Sequence, residues 1–140
     1  MLDGFPERKT GIAMTALDPT ARELLEQAEF VAIVTQGPDG PHLVGNWGDY
    51  ARRIGIDDER IILPAGHYER TEQNLKRDSR IQLMAASRAV RGSRGPGQGG
   101  VIHGKGSVQA EGELAARAKA VFPWARGALV IEVERCEMQL

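Results

Sequence analysis

The sequence predicts a mainly β protein, a six-stranded antiparallel barrel with short peripheral helices. Two observations predict this fold class: six segments have the β-branched and apolar composition of strands, and helical periodicity is confined to three short stretches. Strands in antiparallel succession, with short helices only at the edges, favour a small barrel over a doubly wound parallel sheet. A chain of 140 residues is most simply one domain, and it is long enough to bury a core.

The first predicted element is a helix that begins near position 18. Residues 1–14 lack periodicity and are rich in charge, glycine and proline, so we predict an N-terminal extension to a domain at 15–140. Two start signals compete for this helix. An aspartate at 18 caps it with proline 19 as its first residue, or positions 20 and 23 form a Thr/Glu capping box.

Six strands and two further helices follow in order. The Gly-Pro-Asp-Gly-Pro run at 37–41 predicts a chain reversal between the first two strands. One helix is predicted at 70–78 with Thr71 as its cap, and another at 113–122 is ended by Pro123. The predicted strands lie at 30–36, 42–47, 60–64, 80–87, 101–112 and 128–140.

The segment RAVRGSRGPGQGG, residues 88–100, is predicted to be a long glycine-rich loop. Such a loop is either a flexible connection or a backbone surface that lets a flat or anionic ligand come close. The overlapping segment GGVIHGKGS, at 99–107, approaches the spacing of a P-loop. A nucleoside triphosphate site is not predicted, because glycine follows Lys105 where serine or threonine is needed and no helix comes next.

Composition argues against several classes of partner and site. The net charge of −1 provides no attraction for nucleic acid or an anionic membrane, and no run approaches the apolar length of a membrane helix. His42, His67 and His103 lack metal-ligand spacing, so neither a metal site nor a catalytic residue is predicted. The single cysteine, Cys136, excludes an internal disulfide, and together with an N-terminus unlike a signal peptide it predicts a cytoplasmic location.

The junction between the third strand and the following helix is the best candidate site in the residues themselves. Arg70 and Thr71 stand where the unpaired N–H groups and the dipole of a helix favour a phosphate. The arginine supplies a fork for phosphate oxygens, and the threonine can cap the helix while offering its hydroxyl outward. Ser87 and Arg88, at the end of the next strand, are candidates to complete the same pocket. The alternative is a plain helix cap beside a surface arginine.

Four segments together resemble a known flavoprotein family: VAIVTQGPDGPHLVGNWGDY, ILPAGHYERTEQNLKRDSRIQL, ASRAVRGSRGPGQGGVIHGKG and WARGALVIEVERCEMQL. In matching order and almost without gaps, from about Leu17 to Leu140, the chain resembles the small FMN-binding proteins of sulfate-reducing bacteria. These belong to the pyridoxamine 5′-phosphate oxidase-like, split-barrel flavoproteins. The resemblance implies a homodimer of six-stranded split barrels with one FMN per subunit, bound near the dimer interface.

The resemblance also implies a set of FMN-binding residues. Arg70, a lysine in the relatives, and Thr71 would hold the phosphate, while Asn46 would lie along the ribityl chain or flavin edge. Gly45 would let the chain pass close to the cofactor, and Trp47 would lie beside the isoalloxazine ring. The relatives have Asn-Thr-Trp at 45–47, so hydrogen bonds to the ring are expected to differ. The remaining implied contacts are the ring-flanking aromatics Tyr50 and Trp124 and the polar or backbone groups of Ser87, Arg88, Gly97, Gln98 and Gly99.

Two hypotheses from different classes describe what the chain does with FMN. The first is a non-enzymatic electron carrier for a redox protein partner, and the second is a small FMN-dependent oxidoreductase that reduces an acceptor with NAD(P)H. The carrier is favoured because the flavoproteins that the chain resembles look like carriers and no general acid or base is evident. The reaction of pyridoxamine phosphate oxidases is not expected, because positions 136–140 lack their Arg-x-x-Pro substrate motif. A non-redox FMN store or sensor has no positive support. Some split barrels bind a deazaflavin or haem, so these stay alternative cofactors.

Overall fold

The computed structural model of the protein describes residues 16–140, so the predicted extension at 1–14 lies outside the described residues. The described chain forms six antiparallel strands and four short helices. None of these four helices is long and apolar enough to cross a membrane. In chain order the elements are α1 (Pro19–Gln27), β1 (Phe30–Gly37), β2 (Gly40–Trp47), α2 (Gly48–Ile54), β3 (Arg60–Ala65), α3 (Glu69–Arg77), β4 (Arg80–Gly92), β5 (Gly95–Gln109), α4 (Glu113–Val121) and β6 (Gly127–Met138).

The six strands make one curled sheet in the order β2-β1-β4-β5-β6-β3. Every neighbouring pair is antiparallel. The strands β2 and β3 are the two edges of this sheet, so the curl stays open between them and forms a half-barrel. The predicted mainly β split-barrel fold is confirmed.

The core lies inside the curl, where alternate side chains of the strands converge on α1. The helix contributes Leu24 and Leu25, each 1% exposed. Full burial of such a side chain is worth about 1.5–3 kcal/mol. A second cluster, where α4 covers the outer side of β3 and β6, contains Ile62, Ala118, Ala128 and Val130. The strand residues of the main core are Val31, Ile33, Ile61, Leu63, Ile81, Leu83, Ala85, Val90, Ile102, Leu129, Ile131 and Val133.

The structure decides between the two start signals of α1. The Oδ1 atom of Asp18 accepts a hydrogen bond from the backbone N–H of Ala21 over 2.8 Å, and Pro19 is the first helical residue. The aspartate is therefore the cap, because it satisfies one of the N–H groups that have no partner inside the helix. The alternative signal, a capping box formed by positions 20 and 23, is therefore not used.

The prediction of a glycine-rich loop at 88–100 is wrong. The strands β4 and β5 continue through it as a hairpin in which Arg91 pairs with Pro96 and Gly92 with Gly95. The glycines serve the hairpin's own geometry. Gly95 has φ 142°, and a Cβ on Gly92 would lie 2.4 Å from the carbonyl oxygen of Gly97. Glycine enrichment therefore marks a tight, irregular strand pair here.

A short helix, α2, lies between β2 and β3, where no helix or strand had been predicted. Its signals are present in the sequence: Asp49 in the first turn, arginines in the last turn, and Gly55 after its end with φ 122°. Arg52 ties α2 to the end of α1, because its Nη1 donates to the carbonyl oxygens of Leu25 and Ala28 over 2.9 Å each.

Candidate functional site

An open cleft of ≈ 530 Å³ lies where the two edges of the sheet face each other across the split. This volume is within the range of roughly 300–1,000 Å³ that small-molecule sites occupy. One wall is β2, with His42, Val44, Gly45 and Asn46. The other walls are the end of β3, the turn into α3 with the first turn of that helix, and the ring of Trp124. Apart from Trp124, these walls contain Pro64, Gly66, His67, Tyr68, Glu69, Arg70 and Thr71.

The start of α3 holds a buried hydroxyl with no partner. Thr71 is 0% exposed, and its Oγ1 atom has no hydrogen-bond partner among the described residues. Thr71 is not the predicted cap, because Tyr68 occupies the cap position and Thr71 is the third helical residue. Its hydroxyl therefore does no capping, although the residue lines the cleft. A buried polar atom without a partner is destabilising, which suggests that the site meets a ligand.

Among the described residues, the first turn of α3 carries one cation without an ion pair and two carboxylates, Glu69 and Glu72. Arg70 is exposed on the cleft and forms no ion pair with another described residue. The N–H groups of the first turn have no partner inside the helix, and the positive end of the dipole adds to them. Glu72 is paired with Arg126 over 2.9 Å, whereas the exposed carboxylate of Glu69 lines the cleft and would repel an anion there.

Asn46 and Tyr68 form a hydrogen-bonded pair in the cleft. The Nδ2 atom of Asn46 donates to the Oη atom of Tyr68 over 2.7 Å, and the Oδ1 atom of Asn46 accepts from the N–H of Trp47 over 2.8 Å. Burial raises the pKa of Tyr68 to about 12, and the bond from Asn46 lowers it by less. The phenol therefore stays neutral across the physiological pH range.

Trp124 supplies an exposed aromatic surface to the cleft. It is 55% exposed and lies against Gly66, where a Cβ would come within 2.9 Å of its ring. Two aromatic rings stand behind it: the ring centroid of Phe122 is 5.5 Å away and that of Tyr50 is 5.9 Å away. Tyr50 therefore supports Trp124 from behind and is not itself part of the cleft lining.

Four of the predicted cofactor residues meet in the cleft, namely Asn46, Arg70, Thr71 and Trp124. Trp47 does not join them. It is 49% exposed at the end of β2, and it makes an edge contact with Phe30, 5.8 Å between ring centroids. The same phenylalanine fills the space above Gly45, where a Cβ would lie 1.9 Å from its ring. Gly45 lines the cleft, but its missing side chain makes room for Phe30.

The predicted residues of the β4–β5 hairpin also lie apart from the cleft of their own chain. Their side chains serve the hairpin and the chain's end. The hydroxyl of Ser87 accepts from the N–H of Ala89 over 3.1 Å. The Oε1 atom of Gln98 accepts from the N–H of Leu140 over 2.7 Å, and its Nε2 donates to the carbonyl of the same residue over 2.6 Å. The hairpin residues apart from the cleft are Ser87, Arg88, Gly97, Gln98 and Gly99.

Several residues of the cleft had not been predicted. Tyr68 and Glu69 adjoin the predicted Arg70, and their place at the start of a helix was a signal that could have drawn attention to them. The contact of Tyr68 with Asn46 joins residues that are 22 positions apart, so no local pattern in the sequence could have indicated it. The unpredicted lining is completed by His42, Val44, Pro64, Gly66 and His67.

A second cavity, of ≈ 320 Å³, lies on the outer side of the sheet and is lined by groups that already have partners. His103 lies between Gln82, 3.2 Å from its Nδ1, and Glu137, 2.6 Å from its Nε2. Arg80 is paired with Asp78 over 2.6 Å. The cleft at the split is the better candidate site, because it contains a buried polar group that lacks a partner.

Comparisons with known proteins agree with this architecture. A family model described as pyridoxamine 5′-phosphate oxidase matches residues 17–139. A protein of Nitratidesulfovibrio vulgaris strain Miyazaki F, named FMN-binding protein, is 43% identical over 125 residues, which cover 89% of this chain and 99% of that protein.

Solved structures show the same fold at low identity. A variant of HupZ from Group A Streptococcus superposes with a TM-score of 0.69 at 19% identity and covers 88% of this chain and 99% of its own. A Clostridium acetobutylicum protein, described as related to a general stress protein and as of the pyridoxinephosphate oxidase family, has a TM-score of 0.61 at 17% identity. That match covers 85% of this chain and 84% of its own.

Proposed function

The chain belongs to the pyridoxamine 5′-phosphate oxidase family, and from this premise we propose that it binds FMN in the cleft and carries electrons for a redox protein partner. The observation that carries the proposal is the buried, unpartnered hydroxyl of Thr71 beside Arg70 at the start of α3. Bound FMN would supply reversible electron transfer, while the residues of the cleft bind it, orient it and limit the access of water.

The start of α3 fits the phosphate of FMN. A phosphate oxygen would give the Thr71 hydroxyl the hydrogen-bond partner that it lacks among the described residues. The guanidinium of Arg70 offers two parallel N–H groups to such an oxygen pair, and the first turn of the helix offers its free backbone N–H groups. These donors are anchored on a regular helix, so they are in place before the ligand binds.

The aromatic part of the cleft fits the flat isoalloxazine ring. Trp124 exposes more than half of its surface there, and Val44 and Pro64 add apolar contact area. Burial of such surfaces against a flavin ring would remove apolar area from water, at roughly 25 cal/mol per Å². Aromatic stacking would add to this and would also fix the orientation of the ring.

The carrier role is favoured by the chemistry of the cleft. Burial raises the pKa of Tyr68 to about 12, which matches it poorly to proton transfer near neutral pH. The second candidate, an FMN-dependent oxidoreductase that uses NAD(P)H, is favoured by the exposure of Trp124. An aromatic surface open to solvent would let a nicotinamide ring approach a flavin bound beside it.

A homodimer is the second part of the proposal. Cross-strand pairs place apolar side chains on the outer side of the sheet: exposed Leu43 opposite half-buried Val34, and exposed Trp47 opposite exposed Phe30. Leu43 is 67% exposed and Met84, on β4, is 40% exposed. A contiguous apolar surface of this kind is typical of an interface between proteins. In such a dimer, the residues of the β4–β5 hairpin that do not line the cleft of their own chain could contact FMN in the cleft of the second subunit.

The cofactor is tested by an absorption spectrum of the freshly purified protein, followed by denaturation and chromatography of what is released. The bands of an oxidised flavin, with FMN as the released compound, are expected. A colourless protein that also leaves the fluorescence of added FMN unchanged would overturn the proposal. Release of a deazaflavin or haem would keep the cleft but replace its ligand.

Stopped-flow reduction under anaerobic conditions separates the carrier from the oxidoreductase. The carrier is expected to stay oxidised when NADH or NADPH is added alone, and to exchange electrons quickly with a reduced ferredoxin or cytochrome. Rapid bleaching of the flavin by NAD(P)H, without any protein partner, would instead establish the oxidoreductase.

A further inference from the structure

Asn46 and Tyr68 meet across the split of the sheet, between the edge strand β2 and the turn that leads into α3. The Nδ2 atom of Asn46 lies 2.7 Å from the Oη atom of Tyr68. Both residues line the cleft. The pair therefore joins two walls of the proposed FMN site, and the inference drawn from it rests on that proposed function.

The direction of this hydrogen bond is fixed by a second one. The backbone N–H of Trp47 donates to the Oδ1 atom of Asn46, so the NH₂ end of the amide faces Tyr68. An amide NH₂ group can only donate. The hydroxyl of Tyr68 therefore accepts from Asn46 and keeps its own proton for another acceptor. Within residues 16–140, the bond from Asn46 is the one hydrogen bond that this hydroxyl makes.

The hydroxyl of Tyr68 is a neutral donor under ordinary conditions. Its partial burial raises its pKa to about 12, so the proton is present at every physiological pH. A neutral phenol that already accepts one hydrogen bond is polarised by it and becomes a somewhat stronger donor. In the cleft, the acceptor for this proton has to come from a ligand or from water.

The backbone at Tyr68 is also unusual. It has φ 70° and ψ 25°, and it is the one non-glycine residue with a positive φ in the described part of the chain. Such a conformation is disfavoured for residues with a Cβ and is often found at functional sites. Two hydrogen bonds hold it: the N–H of Glu72 donates to the carbonyl of Tyr68 over 2.8 Å, and Nε of Arg126 donates to the carbonyl of His67 over 3.0 Å.

We propose that Tyr68 is a cofactor-binding residue whose hydroxyl donates a hydrogen bond to an acceptor atom of bound FMN, and that Asn46 acts through it as a positioning residue. The amide of Asn46 occupies the acceptor side of the hydroxyl and so leaves its proton for the ligand. The donor is oriented before FMN arrives, so little side-chain entropy is lost on binding.

The first test replaces Tyr68→Phe, which removes the hydroxyl and keeps the ring. The dissociation constant of FMN is measured by quenching of flavin fluorescence as the apoprotein is added. We expect the constant to rise about tenfold, the usual effect of losing one hydrogen bond to a ligand. A constant within about twofold of the wild-type value would overturn the inference. Riboflavin locates the acceptor: an equal rise for both ligands places it outside the phosphate, and a rise for FMN alone places it on the phosphate.

The second test reverses the hydrogen bond with Asn46→Asp. A carboxylate can only accept, so the Tyr68 hydroxyl would donate to it and withdraw its proton from the ligand. FMN is the probe, and repulsion of its phosphate by the new charge is common to both backgrounds, so it cancels from the comparison. We expect the substitution to weaken FMN binding about tenfold more in the wild-type background than in the Tyr68→Phe background. Equal effects in the two backgrounds would show that Asn46 does not act through Tyr68.

The wild-type protein separates failure of this inference from failure of the proposed function. If it does not bind FMN, both are overturned. If it binds FMN and Tyr68→Phe binds equally well, the inference alone fails. Urea unfolding of each apoprotein, with the same slope as the wild type, confirms that the variants are folded when affinity is measured.

Discussion

The hydroxyl of Thr71 is buried in the wall of a cleft without a hydrogen-bond partner among the described residues. A second threonine shows the ordinary arrangement. Thr35 is also buried, and its Oγ1 accepts from Nδ2 of Asn74 over 3.0 Å. Both threonines bury the same hydroxyl, but only that of Thr35 has a hydrogen-bond partner among the described residues. The substitution of threonine by valine can therefore be compared at the two positions.

Thr71→Val is expected to stabilise the apoprotein and weaken FMN binding at the same time. Valine has nearly the same shape and removes a buried polar atom that has no partner, so the free energy of unfolding should rise by about 1 kcal/mol. Binding of FMN should weaken about tenfold, because the phosphate loses a donor. Urea unfolding and fluorescence titration measure the two effects. Thr35→Val is the control, and it should lower the free energy of unfolding because it leaves Asn74 without its acceptor.

Glu69→Gln is expected to tighten FMN binding about two- to fivefold and to leave riboflavin binding unchanged. The carboxylate at the first position of α3 lines the cleft and repels a phosphate bound there. The gain should shrink as salt is raised, because the side chain is exposed. Glu113→Gln, at the first position of α4, is the matched control and should leave affinity unchanged. An equal gain for riboflavin would contradict the electrostatic explanation.

Among the elements, the β4–β5 hairpin has a structural task that its glycine content did not suggest. Gln98, near the start of β5, is buried and holds the end of the chain through both backbone groups of Leu140. The N–H of Gly99 donates to the same Oε1 atom over 2.9 Å. The backbone itself pairs one residue past β6, because the N–H of Gln139 donates to the carbonyl of Gly99 over 2.8 Å, and the Gln98 amide extends this pairing to Leu140.

Gln98→Leu should release the end of the chain from the hairpin. Removal of these hydrogen bonds is expected to lower the free energy of unfolding by about 1–3 kcal/mol and to speed hydrogen exchange at the Leu140 amide. Urea unfolding and exchange monitored by NMR measure the two effects. Gln109→Leu is the control, because its amide makes a single exposed hydrogen bond to Ser107. A protected Leu140 amide in the Gln98 variant would contradict this role.

At the scale of the whole molecule, the curled sheet has one side filled by the core and another that carries exposed apolar residues. Leu43, Phe30, Trp47 and Met84 lie on that outer side and are each at least 40% exposed. A second subunit placed against them would bury this area and would bring another chain's residues near the cleft. The contribution of Trp47 and of the hairpin residues to an FMN site stays a prediction for that dimer.

Leu43→Asp is expected to convert the proposed dimer to a monomer, because it places a charge in the middle of an apolar interface. Light scattering after size-exclusion chromatography measures the mass, and FMN titration shows whether the cleft needs a second subunit. Ala116→Asp, on the exposed side of α4, is the control and should leave the mass unchanged. A wild-type protein that is already monomeric at micromolar concentration would contradict the dimer itself.

The sequence by itself determined the features that depend on neighbours along the chain. The start of α1 at Asp18 and the turn between β1 and β2 follow from local capping and turn chemistry. The start of α3 beside Arg70 and Thr71 was predicted from helical periodicity, and the expected Thr71 cap is absent because Tyr68 holds the cap position. The six strands follow from composition, because a buried strand needs apolar and β-branched residues wherever it lies in the sheet. The resemblance to a flavoprotein family was likewise contained in the sequence and is confirmed.

The tertiary structure alone decided which side chains share the cleft. Asn46 meets Tyr68, Trp124 covers Gly66, and Gly45 accommodates Phe30 only after the sheet curls. Gly92 of the hairpin could not be told from a loop glycine, because the close approach that requires it is made by Gly97 on the opposite strand. Local sequence patterns indicate which secondary structure a segment prefers. A site at the opening between two sheet edges depends on contacts between distant segments, and those exist only in the folded chain.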